Sequence, residues 1–287
     1  MTAKRVVVDL ETYRSRNPLV IEAVRKEQIE RRPAQNKSRE EKNNWDTTAG
    51  RDERIVEALA KTAVDPMWAE ILCIALGIDD RLPISISAMP DDEFAALCEF
   101  TKLMDEEVGP ETTWVNHNLL HFDLPILLSR FRALGVTPPK HFPYWQGRYW
   151  AGRVYDTMLR TPNNNNLGLV SLEDACRAYG IPSSKNKFCL EDGTPLTGAT
   201  VGLAFERGEY KAIQQYAEGD VAATRDLYLV QTFGCSRDCW EAEDRNMEEI
   251  LNIRDADCPP EQKAPLLLKA LADKGLISRE FLPRLAA

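Results

Sequence analysis

Arg5-Val6-Val7-Val8-Asp9-Leu10-Glu11 is the stretch whose reading decides the fold. Its β-branched run reads as a buried strand. Residues two apart in a strand project from one face, so Asp9 and Glu11 stand side by side while Val6, Val8 and Leu10 point to the other. Two carboxylates about 4 Å apart repel by about 1 kcal/mol in water and about 4 kcal/mol at an effective dielectric of 20. The interior of a sheet does not hold such a pair without compensation, which a divalent cation supplies. An edge strand with merely solvated acids is the other reading of the pair.

Outward from this strand, the stretch from Tyr13 to about Asn44 changes character, with nine basic residues against five acidic ones. We take 13–50 as an exposed, partly helical, basic insertion, either a guide for a phosphate backbone or a solvated face. Ile55, Leu59 and Ala63 fall at helical spacing, and Ile71 to Ile78 is an apolar run bounded by charge, hence a second strand. A third strand is expected at Leu82 to Ala88, then a helix after Met89-Pro90-Asp91 with Phe94, Leu97, Cys98 and Leu103 on its apolar face, then a short strand at Thr113 to Asn116. Asp123-Leu124-Pro125 opens a helix to about Leu134, and Arg153 to Tyr155 is strand-like, ending in Asp156. Ser171, followed by Glu173 and Asp174, has the pattern of a helix N-cap, and its helix stops near Gly180-Ile181-Pro182. Ser183 to Gly208 reads as a loop, and a long helix runs from about Glu209 to Gln231. Three strands in succession, then strands alternating with helices, predict an α/β fold with a mixed five-stranded sheet flanked by helices.

Beyond Gly234 the pattern is helical and acidic, with segments at Trp240 to Ile253 and Ala264 to Asp273 separated by Pro259-Pro260. The expected organisation is one domain over 1–234 and a helical extension over 235–287, whose Leu266, Leu267, Leu271 and Leu276 pack onto the body.

Two further acids stand out. Asp123 before Leu124-Pro125 fits a helix N-cap, a role worth about 1 kcal/mol. Tyr216 and Asp220 are four apart on the long helix and share a face, with Glu218 pointing elsewhere. A solvent-facing acid beside a half-buried tyrosine is the ordinary reading of that pair.

Their order along the chain is more specific than any of them alone. The succession Val8-Asp9-Leu10-Glu11-Thr12, then His117-Asn118-Leu119-Leu120-His121-Phe122-Asp123-Leu124-Pro125, then Tyr216-Ala217-Glu218-Gly219-Asp220-Val221 resembles the DEDDy group of 3′-to-5′ exonucleases. It is most similar to stand-alone proteins related to the exonuclease domain of family B DNA polymerases, and the likeness covers about Lys4 to Val230 without the basic insertion. Tyr155-Asp156-Thr157 and Ser171 to Pro182 occupy intermediate positions usual in that group.

This resemblance implies a ribonuclease-H-like fold and two divalent ions, Mg²⁺ or Mn²⁺, held by Asp9, Glu11, Asp123 and Asp220. Tyr216 would contact the attacking water. Gln215 stands where the sister branch carries a histidine, so that branch does not fit. Two metals would lower the pKa of a bound water and relieve charge on the leaving oxygen, while a phenol titrating near pH 10 orients the water and is no strong base. Thr12, Asn118 and Phe122 are candidate substrate contacts. So are Trp145 and Arg148, within the aromatic segment that includes Tyr144, Tyr149 and Trp150; that segment fits either a base-stacking grip or a core beneath a loop. His117 and His121 suit a polar network better than an all-oxygen metal site. Cys235 and Cys239 lack the second pair that a zinc site needs.

Composition bounds the partners. A formal charge of −9 argues against coating duplex phosphates and allows an enzyme that grips a few nucleotides at one strand end. Single-stranded DNA or frayed 3′ ends are the expected substrate, with RNA 3′ trimming as the alternative. A catalytically silent nucleic-acid-binding scaffold of the same fold is the competing class. No polymerase domain fits in 287 residues, so a proofreading or repair role would need a separate partner. No apolar run reaches the roughly 20 residues of a membrane span, and seven scattered cysteines suit a reducing compartment. A cytoplasmic protein without membrane contact is expected.

Overall fold

The computed structural model describes residues 2–31, 45, 47–143, 153–161, 170–181, 187–235, 253 and 259–273. Five strands, β1 (Ala3–Tyr13), β2 (Glu70–Ile78), β3 (Ile84–Ser87), β4 (Val108–Asn116) and β5 (Val154–Asp156), form one open sheet in the order β3-β2-β1-β4-β5. β1, β2 and β3 pair antiparallel, and β4 lies parallel to both β1 and β5. The helices in chain order are α1 (Pro18–Glu30), α2 (Thr48–Lys61), α3 (Glu93–Glu107), α4 (Leu124–Leu134), α5 (Thr157–Arg160), α6 (Leu172–Ala178), α7 (Val201–Glu206), α8 (Tyr210–Cys235) and α9 (Pro260–Asp273). A short turn suffices between β2 and β3. Parallel neighbours need a crossover, and α4 lies in the connection from β4 to β5.

The strand alternation places the layers. Val6, Val8 and Leu10 pack with Leu97, Phe100 and Met104 of α3 and with Leu124, Leu127 and Phe131 of α4. Val7 faces the opposite layer, where Ile213, Ala217 and Val221 form the buried stripe of α8. With helices on both sides, β2 is buried along its whole length, which is why it reads as a continuous apolar run. At Gly77 of β2, a Cβ would stand 2.8 Å from Val221 Cγ1, so the missing side chain is what lets α8 lie this close to the sheet.

Several boundaries differ from expectation. β4 begins at Val108, not Thr113, because Gly109 and Pro110 hide the strand pattern. The Thr112 hydroxyl donates to Ala3 O at 2.6 Å and so ties this irregular start to β1. On α3 the buried face is Ala96, Leu97, Phe100 and Met104, while Phe94 and Cys98 are exposed. The helix begins one residue after its Asp92 cap, and the stripe toward the sheet includes Glu93. Glu93 is accommodated there by pairing with Arg130 of α4 and accepting the Ile71 N–H at 3.1 Å. The expected loop before α8 contains α7. Ser171 caps α6 as expected, accepting the Asp174 N–H at 3.1 Å.

On α9, Leu267, Leu268 and Leu271 are buried with Ala175 and Cys176 of α6 and Leu227 and Val230 of α8. Leu266 is exposed, and Leu276 lies outside the described residues, as does most of the Trp240 to Ile253 segment. Among the described residues no helix is long and apolar enough to cross a membrane.

Candidate metal centre

β1 is longer than the strand beside it. Val7 pairs with Val115 and β4 ends at Asn116, so Asp9 and Glu11 extend past the carboxyl end of β4 while β2 still flanks them through Ala75 and Cys73. β1 is also where the order of strands reverses, and ligands of open α/β sheets bind in the crevice outside the strand ends at such a point. A register shift between Glu11 and Thr12 bends the strand immediately after the second acid.

From the other side, α8 brings in Tyr216 and Asp220, one turn apart. The contact of Val221 with the sheet at Gly77 sets the height of Asp220 above β1. As a result, one carboxylate oxygen from each of Asp9, Glu11 and Asp220 lies within 4.8 Å of the others. Asp123 stands outside that trio. Its carboxylate, 1% exposed, accepts the Leu10 N–H at 3.2 Å and makes no capping bond to α4. The N-cap reading of Asp123 is therefore replaced: the side chain reaches across to β1, between the two strand acids.

Burial and crowding raise the proton affinities of Asp9, Glu11, Asp123 and Tyr216. Asp9 is pushed well above the usual carboxylate range by desolvation and then by the charge of Asp220. Glu11 is raised by desolvation, then by Asp9, Asp220 and Asp123. Asp123 is raised by desolvation and Asp9, with the Leu10 N–H acting in the opposite direction. Tyr216 is raised by burial, then by Asp220, Glu11 and Asp9, and its hydroxyl bonds to Asp220. Such a group must take up protons or a cation, and its donors are carboxylate oxygens, which suit hard ions such as Mg²⁺ or Mn²⁺. The fit is chemical as well as geometric.

The other candidate residues have varied settings. The Thr12 hydroxyl donates to Ala63 O at 2.6 Å. Asn118 adopts the left-handed conformation at φ 75°, and its side-chain oxygen is buried without a hydrogen-bond partner. Phe122 is half-buried against the α3–α4 core. Trp145 and Arg148, with Tyr144, Tyr149 and Trp150, lie outside the described residues, as does Cys239. His117 belongs to a polar network, with Nδ1 3.0 Å from Thr157 Oγ1 and Nε2 2.7 Å from Val170 O, while His121 is exposed. Glu218 points to β3 and accepts from Ser85 Oγ at 2.7 Å.

Within the basic insertion, Arg14 and Arg16 are engaged with acids, Arg14 with Glu206 and Arg16 with Glu70 and Asp91. A groove of about 620 Å³ between α1 and α2 is lined by Glu27, Glu53 and Glu57 as well as Arg31, Arg54 and Lys61. Arg54 donates to the carbonyls of Trp45, Gly50 and Gln28, so its charge is turned inward. The sequence motifs assign no role to Asp156, which is 1% exposed at the end of β5. Its position directly before a helix was the available signal, since aspartate there is a capping pattern. Comparison with known protein families and with curated proteins yields no match to this chain.

Proposed function

We propose that this chain is a metal-dependent 3′-to-5′ exonuclease acting on single-stranded or frayed DNA. The observation that carries the proposal is the meeting of Asp9, Glu11 and Asp220, from the first strand and the last long helix of the sheet domain, within 4.8 Å. The sheet order β3-β2-β1-β4-β5, with the acids on its central strand, supports the ribonuclease-H-like fold that the sequence pattern resembles. In this proposal residues 1–234 form the nuclease body and 235–287 an extension that docks on it through α9.

Asp9, Glu11 and Asp220 would hold the divalent ions, with Asp123 completing the set from the β4 side. When bound, paired ions supply an activated water and stabilise the leaving 3′ oxygen. Tyr216 stays protonated far above neutral pH and so does not remove the proton of the attacking water; with its hydroxyl hydrogen given to Asp220, its oxygen orients that water as a hydrogen-bond acceptor. Its bond to Asp220 and its ring contact with Phe188 at 6.4 Å fix that hydroxyl in place. A net charge of −9 suits a site whose carboxylates would be neutralised by bound divalent ions before a phosphate approaches.

Incubation with 5′-labelled single-stranded DNA and RNA in Mg²⁺ or Mn²⁺ tests this. Ladders that shorten from the 3′ end, vanish with EDTA and are absent for Asp9→Asn are expected. Uncut substrate with both metals would refute the proposal, and cleavage confined to RNA would replace DNA by RNA as the substrate.

A further inference from the structure

We propose that Asp156 is a positioning residue that fixes Asp123 toward the acidic trio and thereby sets how tightly the centre takes a divalent cation. This rests on the reading of that trio as a metal centre.

Asp156 closes β5 opposite Asn116 of β4, and its carboxylate accepts four backbone N–H groups. Two of them, from Met158 at 3.1 Å and Leu159 at 3.4 Å, belong to the first turn of α5 and amount to an ordinary helix cap. The other two come from a different segment: Asn118 N at 3.0 Å and Leu120 N at 3.3 Å. Capping a four-residue helix does not need a buried acid, whereas bonds to a charged acceptor are about twice as strong as neutral ones. The second pair is the one that a cap leaves unexplained.

That pair holds an unusual backbone. Asn118 is left-handed at φ 75°, and Leu119–Asp123 is a π-helical turn, a conformation that is rare and needs outside support. Asp123 is the last residue of that turn. The anchoring continues around it: Thr157 Oγ1 donates to Asn116 O at 3.1 Å and bonds His117 Nδ1. Gln231 Nε2 of α8 donates to Thr157 O at 3.1 Å and Thr161 Oγ1 at 2.9 Å. The turn bearing Asp123 and the helix bearing Asp220 are thus both fixed to the α5 segment that begins at Asp156. Partners of metal ligands set affinity by such orientation, and their loss typically weakens metal binding by about 10–100-fold.

Two substitutions separate positioning from capping. Asp156→Ser keeps one oxygen able to cap α5 but lacks the second oxygen, which accepts the Leu120 N–H. Asp156→Asn keeps one acceptor and turns the other into a donor facing an N–H. Leu271→Ala, at a fully buried site on α9, serves as a destabilised control. Mn²⁺ affinity by calorimetry and the Mn²⁺ dependence of hydrolysis are measured for all four proteins. Asp156→Ser and Asp156→Asn should need about tenfold more Mn²⁺ or greater, with kcat at saturating metal within a few-fold of the parent, and Leu271→Ala should bind as the parent does. Equal affinity for the parent and Asp156→Ser would overturn the inference while leaving the metal centre intact, as would equal weakening in Leu271→Ala. If the parent itself binds no Mn²⁺, the metal-centre reading fails and takes this inference with it.

Discussion

Replacing Asp9 with asparagine should stabilise the metal-free protein and at the same time remove its response to Mg²⁺ or Mn²⁺. Asp9, Glu11 and Asp220 oxygens lie within 4.8 Å of one another. At that separation and an effective dielectric of 20, each fully ionised pair repels by about 3.5 kcal/mol. Proton uptake relieves part of this, as the raised proton affinities of Asp9 and Glu11 indicate. A net gain of about 1–3 kcal/mol at pH 8 is therefore expected from a nearly isosteric neutral amide, and each kcal/mol moves Tm by roughly 2–4 °C in a domain of this size. With EDTA present, the variant should melt a few degrees above the parent. In Mn²⁺ at about 1,000 times its Kd the order should reverse, because the ion then stabilises the parent by about 4.1 kcal/mol and the variant hardly at all. Differential scanning calorimetry at pH 8 with and without Mn²⁺ reads both effects. An Asp9→Asn protein that melts no higher than the parent in EDTA, or that keeps the parent's metal shift, would show that these carboxylates neither strain one another nor share a cation.

The same electrostatics fixes a pH dependence. Asp9, Glu11 and Asp123 have native proton affinities raised above the unfolded range near pH 4, so the folded state binds more protons over that interval. The stabilisation is complete below the unfolded pKa and declines as pH rises toward the native values. Urea melts in EDTA should thus show a larger pH-dependent loss for the parent than for Asp9→Asn, and saturating Mg²⁺ should flatten the difference. Tyr216→Phe keeps the ring against Phe188 and loses the hydroxyl, so kcat should fall about 10–100-fold with stability changed by about 1 kcal/mol or less in urea melts. Gly77→Ala drives a methyl into Val221 and should cost about 1–3 kcal/mol while lowering Mn²⁺ affinity, because α8 carries Asp220. Leu271→Ala should cost about 2–5 kcal/mol by calorimetry, as a cavity opens between α9, α6 and α8.

Much of the sheet could be read directly from residue order. β2 and β1 are apolar runs, and their expected and observed limits agree to within a residue or a few. The start of β4 could not, because Gly109 and Pro110 break the strand signature and pairing with β1 overrides it. The face of α3 departs from the spacing of its apolar residues for a related reason: a charged residue, Glu93, occupies the inward stripe, and its pairing with Arg130 explains how.

For the centre itself, sequence alone determined which side chains share a face. The two-residue repeat of a strand puts Asp9 beside Glu11, and the helical period puts Tyr216 over Asp220, because both periods are properties of the local backbone. Which faces meet was a matter of tertiary structure. The approach of α8 over Gly77, the reach of Asp123 to Leu10 and not into its own helix, and the grip of Asp156 on Asn118 and Leu120 all join residues distant along the chain. Spacing carries no record of such contacts, since they depend on strand order and on how closely two elements can pack.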